Sequence, residues 1–204
     1  MHNKTIKKNN EPPFNTLYTE EDVLMFYINS SNKFLPGEGK GENIKASHKD
    51  KYIELSKIDN WRQKLSNQWV SEFKLNGLRW LSVEHYYQGS KFKINNHSYY
   101  LQFSLDSGSV LSKDPIMAHG AGSITGKVNN KKFRSNDIKI DPDFFNGRAE
   151  LEMFNAQYCK FKQNKELRNV LFKTKNAKLM HYRIKKKTPS FFKGLVYVRY
   201  LLQK

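Results

Sequence analysis

Apolar positions along the chain fall in short blocks punctuated by Asn, Gly and Pro. Val23-Leu24-Met25-Phe26-Tyr27-Ile28 is a continuous apolar run and predicts a buried strand. The stretch from Asn29 to Asn43 carries Pro36, Gly37, Gly39 and Gly41 and predicts a loop. Tyr52 to Trp61 predicts a short helix. Phe73-Lys74-Leu75 and Leu78-Arg79-Trp80 flank Asn76-Gly77, whose positive φ angles suit a tight hairpin turn. Ser82 then predicts the cap of a helix, along which Val83, Tyr86 or Tyr87, Ser90 and Ile94 recur at helical spacing. Asn95-Asn96 ends that helix, and residues 97 to 106 predict a second, with Tyr100 and Phe103 on one side.

Pro115 suits the first turn of another helix, capped from Ser112 or Lys113 and ended by Gly120, Gly122 and Gly126. After a turn at Asp141-Pro142, a long helix is expected from Gly147 to Phe161, with Leu151, Phe154, Tyr158 and Phe161 as its apolar stripe. A further helix covers Lys165 to Lys173, with a helix boundary over Thr174 to Lys178. Phe192 to Leu202 fits a strand or an apolar helix. The pattern as a whole predicts an α+β fold, predominantly helical, as one domain with a small β-hairpin. Residues 1–21, polar up to Pro12-Pro13, are expected to be a flexible arm preceding a domain over 22–204.

Composition narrows the classes. With 204 residues the chain can bury a sizeable core, and 14% aromatic content excludes a disordered basic tail. The single Cys159 excludes an internal disulfide and a cysteine-based metal cluster, and it fits a reducing, cytoplasmic setting. The six His, at positions 2, 48, 85, 97, 119 and 181, lack ligand spacing, so neither metal nor cofactor is expected. No apolar run is long enough to span a bilayer, and no membrane partner is expected. The 36 Lys plus Arg against 19 Asp plus Glu give a net charge of +17. Residues 160 to 204 hold fourteen of those cations against the lone acid Glu166. Such a balance favours an anionic partner: nucleic acid or a phosphorylated metabolite. The Gly37-to-Glu42 segment, GEGKGE, lacks the spacing and the Ser or Thr of a P-loop.

Candidate chemistry gathers on the helix after the hairpin. Glu84 stands in its first turn, where a helix N-terminus favours an anion while aromatic neighbours raise a carboxyl pKa. It can act as a general acid or base, or simply close the turn and pair with a lysine. Glu84, Gln88 and Lys91 share one face, suited to a base, an amide that reads a planar ring and a phosphate contact, or to an ordinary exposed ion pair. In Leu65-Ser66-Asn67-Gln68-Trp69, Asn67 can bond a base or ribose and Trp69 can stack on a ring, unless they are turn former and core.

These residues carry a resemblance. LSNQW at 65–69, NGLRWLSVEHYYQGSKF at 76–92, the segment from Ala118, and MFNAQYCKFKQNKELRNVLFKTKNAKLMH at 153–181 are similar in order and spacing to the NADAR, or YbiA-like, family. The likeness extends over roughly residues 24 to 204, and Pro36-Gly-Glu-Gly-Lys-Gly-Glu with Trp61-Arg62 resembles a branch found in large DNA viruses and some microbial eukaryotes. The resemblance implies hydrolysis of an N-glycosidic C1′–N bond. The substrates it implies are a ribosylaminopyrimidine phosphate or an ADP-ribosylated guanine, free or in nucleic acid. It implies Glu84 as the catalytic carboxylate, with Asn67 and Lys91 matching its other motif positions. Around them, Trp69 or Trp80 would stack on the planar group, Gln88 would read it, and Lys91, Arg62 or His181 would meet the phosphate. Where bacterial members carry a late acid and an Asp-x-x-Trp-Gly segment, this chain has His181, Arg183 and a lysine run, expected to form one rim of an anionic ligand's pocket. That departure supports a second expectation, a module that binds ADP-ribose or nucleic acid without catalysis. A third, a packaging protein, entails salt-sensitive, sequence-blind binding.

Overall fold

The computed structural model describes residues 11–182 and 188–204. Its strands are β1 (Thr19–Phe26), β2 (Phe73–Leu75), β3 (Leu78–Trp80), β4 (Lys127–Val128), β5 (Lys131–Lys132), β6 (Ala177–His181) and β7 (Ser190–Phe191). Its helices are α1 (Ile53–Ser56), α2 (Trp61–Lys64), α3 (Val83–Ser90), α4 (His97–Leu101), α5 (Pro115–Gly122), α6 (Ala149–Gln163), α7 (Lys165–Lys173) and α8 (Lys193–Gln203). The architecture is α+β, predominantly helical.

β1 and β6 run parallel, with Leu24 beside Leu179 and Phe26 beside His181, and β7 adds to β6 antiparallel. Leu24 and Leu179 are fully buried in a core shared with Trp61 of α2, Leu167, Val170 and Leu171 of α7, and Leu195, Val196 and Val198 of α8. A second core joins the β2–β3 hairpin to α3, α4 and α5 through Trp80, Tyr86, Phe92, Tyr100 and Ala118. α6 lies between the two, placing Phe161 in the first and Ala156 in the second. The hairpin turns as its Asn-Gly pair requires, with φ of 55° at Asn76 and 76° at Gly77. Ser82 caps α3, its Oγ accepting from the His85 N–H.

Several boundaries differ from the sequence expectation. Phe14, Leu17 and Tyr18 pack against the first core and β1 opens at Thr19, so the fold reaches well into the expected arm. The helix expected over Tyr52–Trp61 is divided into α1 and α2, because Asn60 adopts φ 59° and cannot continue a helix. Asp114, not Ser112 or Lys113, caps α5, and Gly120 and Gly122 lie inside it. Their role is close approach: a Cβ on Gly120 would meet Val128 at 2.3 Å, and one on Gly122 would meet Gln88 Oε1 at 2.3 Å. Leu151, expected in the α6 stripe, is exposed. The helix boundary expected over Thr174 to Lys178 is present, with Thr174 ending α7, but strand β6 opens within it at Ala177. Of the two readings of the last apolar run, the helical one holds. Arg183 and the lysines at 185–187 lie outside the described residues.

Candidate functional site

The polar face of α3 is an interior face. Glu84, Gln88 and Lys91 are 8%, 4% and 7% exposed, which removes the reading of a solvated ion pair. The helix period brings them into one chain of contacts. Gln88 Nε2 donates to Glu84 Oε1 at 2.8 Å, and Lys91 Nζ donates to Gln88 Oε1 at 2.5 Å and to the Gly122 carbonyl at 2.9 Å. The second face of the site comes from α5, where His119 Nδ1 lies 2.7 Å from Glu84 Oε1. The missing side chain of Gly122 lets α5 close onto Gln88.

Electrostatics fix the protonation states. Burial works to raise the Glu84 pKa, but the bond to His119, its charge, the Gln88 amide and the Lys91 charge together hold it below the usual carboxylate range. Glu84 is therefore an anion at neutral pH. Burial pulls Lys91 down to about 8 against the counteracting charge of Glu84, so this ammonium gives up a proton near neutrality. His119 remains open to solvent, with its side chain 61% exposed. His85, one residue from Glu84, points elsewhere: it is fully buried, its Nδ1 lies 2.8 Å from Ser82 Oγ, and burial pushes it down to about 4.

Asn67 reaches the same place from the loop after α2. Its carbonyl accepts from the Glu84 N–H at 3.0 Å, its Oδ1 accepts from Gln157 Nε2 at 3.0 Å, and its Nδ2 approaches Met153 Sδ at 3.0 Å. Buried Lys160 anchors the preceding residue by donating to the Ser66 carbonyl at 2.8 Å. Next to this junction is a cavity of 440 Å³ lined by Tyr87, Met153, Phe154, Gln157, Phe192 and Gly194. Lys193 and Glu150 also line it. Lys91 Nζ lies 5.5 Å from the Tyr87 ring, which ties the cavity to the α3 face. Gln157 is 1% exposed, and its Oε1 is buried with no hydrogen-bond partner among the described residues. Gly194 faces that oxygen: a Cβ there would come within 3.2 Å of it.

Four expected site residues lie elsewhere. Trp80 is 0% exposed, stacked edge-on against Tyr86 with its Nε1 donating to the Leu75 carbonyl, and presents no ring face to a ligand. Trp69 is half-buried against the first core, with Lys64 Nζ 6.0 Å over its ring, and does not line the cavity. Arg62 is 3% exposed and engages all its donor nitrogens, with Glu42 and the carbonyls of Ser31, Phe34 and Leu35, which leaves no fork for a phosphate. The His181 ring packs between Phe26 at 5.1 Å and Phe192 at 5.4 Å. Of the basic C-terminal stretch, Lys193 is the described residue that lines the cavity, whereas Lys178 pairs with Glu20 and Lys160 is buried. Among the described residues no cluster of His, Cys, Asp and Glu could hold a metal ion. Nor is any helix among them long and apolar enough to cross a membrane.

His119, Tyr87 and Gln157 fall within the segments that carry the resemblance, but neither their spacing nor that of Gly194 assigns them a role, because each comes from a separate element or from the side of α3 read as core.

No family model matches the chain. No curated protein matches it either. Among solved structures, the chain is similar to the NMR structure of the Escherichia coli protein YbiA, at 20% identity and a TM-score of 0.54, over 92% of this chain and 86% of that one. The likeness extends through nearly all of both chains, and the fold is YbiA-like.

Proposed function

We propose that the protein belongs to the NADAR family and is an N-glycosidase that hydrolyses the C1′–N bond of a phosphorylated ribosyl or ADP-ribosyl substrate. The observation that carries this reading is the Glu84 carboxylate: buried, held anionic by His119, Gln88 and Lys91, and linked through Asn67 to Met153 and Gln157 in the wall of a cavity large enough for a small ligand. The motif resemblance and the YbiA-like fold support it.

Breaking the bond develops positive charge on the sugar and leaves its electron pair on the departing nitrogen. An ionised Glu84 suits the first demand. It steadies the cation and takes a proton from the water whose oxygen bonds to C1′. Glu84 is the wrong group to protonate the leaving nitrogen, because its pKa is lowered rather than raised. Lys91, brought down to about 8, is the proton donor within the same network, and His119 is the solvent-facing group that returns the proton of Glu84 to bulk water. Tyr87 and Phe192 line the cavity as ring surfaces, and Lys193 meets phosphate.

Incubation with an ADP-ribosylated guanine oligonucleotide and with a ribosylaminopyrimidine phosphate, reading released base, tests the reading. Release from either is the expected outcome. Saturable binding of both with no release at stoichiometric protein would instead identify a non-catalytic binding module. One observation favours that alternative: among the described residues no second carboxylate bonds into the Glu84 network, and Glu150 stands at the cavity wall only.

A further inference from the structure

The glycine-rich segment after β1 has a job that the hydrolytic reading does not use. Its backbone N–H groups gather around a carboxylate from within the chain. Glu42 Oε2 accepts from Gly37 at 3.0 Å and Gly39 at 3.1 Å, and Oε1 accepts from Met25 at 3.1 Å. Arg62 clamps the same carboxylate, at 2.9 Å through Nε and 2.7 Å through Nη2. The Glu42 side chain is 0% exposed and that of Arg62 4%, so the pair is sealed from water. A loop that resembles a phosphate cradle is thus already filled by its own anion. Arg62 also binds the carbonyls of Phe34 and Leu35, fixing the loop's far end. Buried pairs of this kind do little for net stability and are better explained by the geometry they hold.

What they hold is one wall of a second cavity, of 240 Å³, at the carboxyl ends of the parallel strands β1 and β6. Loops that follow parallel strands at that end are where α/β sheets receive ligands. Phe26, Tyr27, Phe34 and Tyr182 line it, with Lys40 beside them. Phe34 is 51% and Tyr182 39% exposed, large rings left partly open at a concave site. The volume is below the roughly 300–1,000 Å³ of sites that enclose a whole drug-sized ligand, and suits one planar ring system. Of the three charged groups in the lining, Glu42 and Arg62 neutralise each other, so the residual charge is that of Lys40. The His181 ring lies 6.1 Å from Tyr27, which lines this cavity, and 5.4 Å from Phe192, which lines the first one.

We propose that the cavity between β1, the 30–42 loop and Tyr182 is a second ligand site that takes the base of a nucleotide between its aromatic side chains and leaves the phosphate outside, at Lys40. Aromatic faces accept any base by stacking, and a single lysine is a point charge suited to one phosphate. The site stands apart from the hydrolytic reading, since it uses neither Glu84 nor the cavity lined by Tyr87 and Gln157.

The test is a titration of the whole chain with AMP, adenosine and inorganic phosphate, followed by backbone amide NMR. AMP is expected to bind saturably, shifting the amides of Tyr27, Phe34, Lys40 and Tyr182. Phe34→Ala should weaken AMP at least tenfold. Lys40→Gln should weaken AMP several-fold and leave adenosine within twofold of the parent. Both side chains are exposed, so neither variant depends on repacking a core. A trinucleotide tighter than AMP, with the same Phe34 dependence, assigns the ring to a strand, and equal affinity assigns it to a free nucleotide. No saturable shift, equal binding by both variants and the parent, or the same shifts from inorganic phosphate alone would overturn the proposal. The titration involves no turnover, so a failure to hydrolyse any substrate leaves its outcome untouched.

Discussion

A single methyl group separates the working arrangement of Gln88 from a broken one. Adding it at Gly122 would place a Cβ 2.3 Å from Gln88 Oε1, the atom that receives the Lys91 ammonium. Gly122→Ala is expected to destabilise the protein by about 1–3 kcal/mol, as overpacking does. It should also cut base release by disconnecting Lys91 from Glu84. A urea midpoint and a rate measured on the same preparation check both; unchanged values for both would show that the contact is slack. His119 bears on Glu84 differently. Because its bond and charge lower the Glu84 pKa, His119→Ala should raise it, and the acid limb of the rate profile should move to higher pH. An unmoved limb would remove His119 from the site. The residues legible in the sequence were those one helix places together: Glu84, Gln88 and Lys91 follow from spacing alone. His119 comes from α5, and periodicity is blind to partners on another element. Trp80 and Arg62 misled for a related reason, since residue type shows what a ring or guanidinium can bind but not that Tyr86 and Glu42 already occupy them.

Among the elements, those with a local cause were legible: the Asn-Gly hairpin, the Ser82 cap, the run that includes Leu24 and Phe26, and the α7 helix. β6 was not, because Ala177 to His181 becomes a strand by pairing with β1, more than 150 residues earlier. The sequence marks the helix boundary at Thr174 to Lys178 but carries no strand signal of its own beyond it. α8 was ambiguous for lack of flanking signals, and packing settles it by burying Leu195, Val196, Val198 and Arg199 on one side. The 30–42 loop is the element most dependent on a single residue. Arg62→Met leaves the Glu42 carboxylate buried without its cation, which costs about 3–5 kcal/mol. Trypsin should then cut after Lys33 or Lys40 at a far higher rate, and adding Glu42→Gln should recover part of the stability. Cleavage at the parent rate would show that the loop is held by other means.

For the whole molecule, the net charge of +17 describes a surface that favours anions without saying where one binds. Its densest stretch contributes one described cation, Lys193, to the cavity lined by Met153 and Gln157, while Lys160 is interior and Lys178 neutralises Glu20. Acid stability is set by buried groups instead. His85 is neutral when folded, with its pKa lowered from 6.5 to about 4, so above 6.5 it is neutral in both states and costs nothing. As pH falls from 6.5 towards 4 the unfolded chain takes up a proton that the folded one refuses, and about 3 kcal/mol of stability is lost. Glu84, lowered below 4.5, adds to the loss at still lower pH. Urea midpoints should therefore decline between pH 7 and pH 4, and a flat series would contradict a neutral, buried His85.

The central claim is that the Glu84 carboxylate, and not binding alone, breaks the glycosidic bond. A single-turnover measurement on the parent and on Glu84→Gln, each at saturating protein with ADP-ribosylated guanine oligonucleotide or ribosylaminopyrimidine phosphate, tests it most directly. The amide keeps the shape and the contact with Gln88 while removing the charge. The account predicts that Glu84→Gln binds with nearly the parent affinity and releases base about 10²–10⁴-fold more slowly. Equal release rates from the two proteins would contradict it.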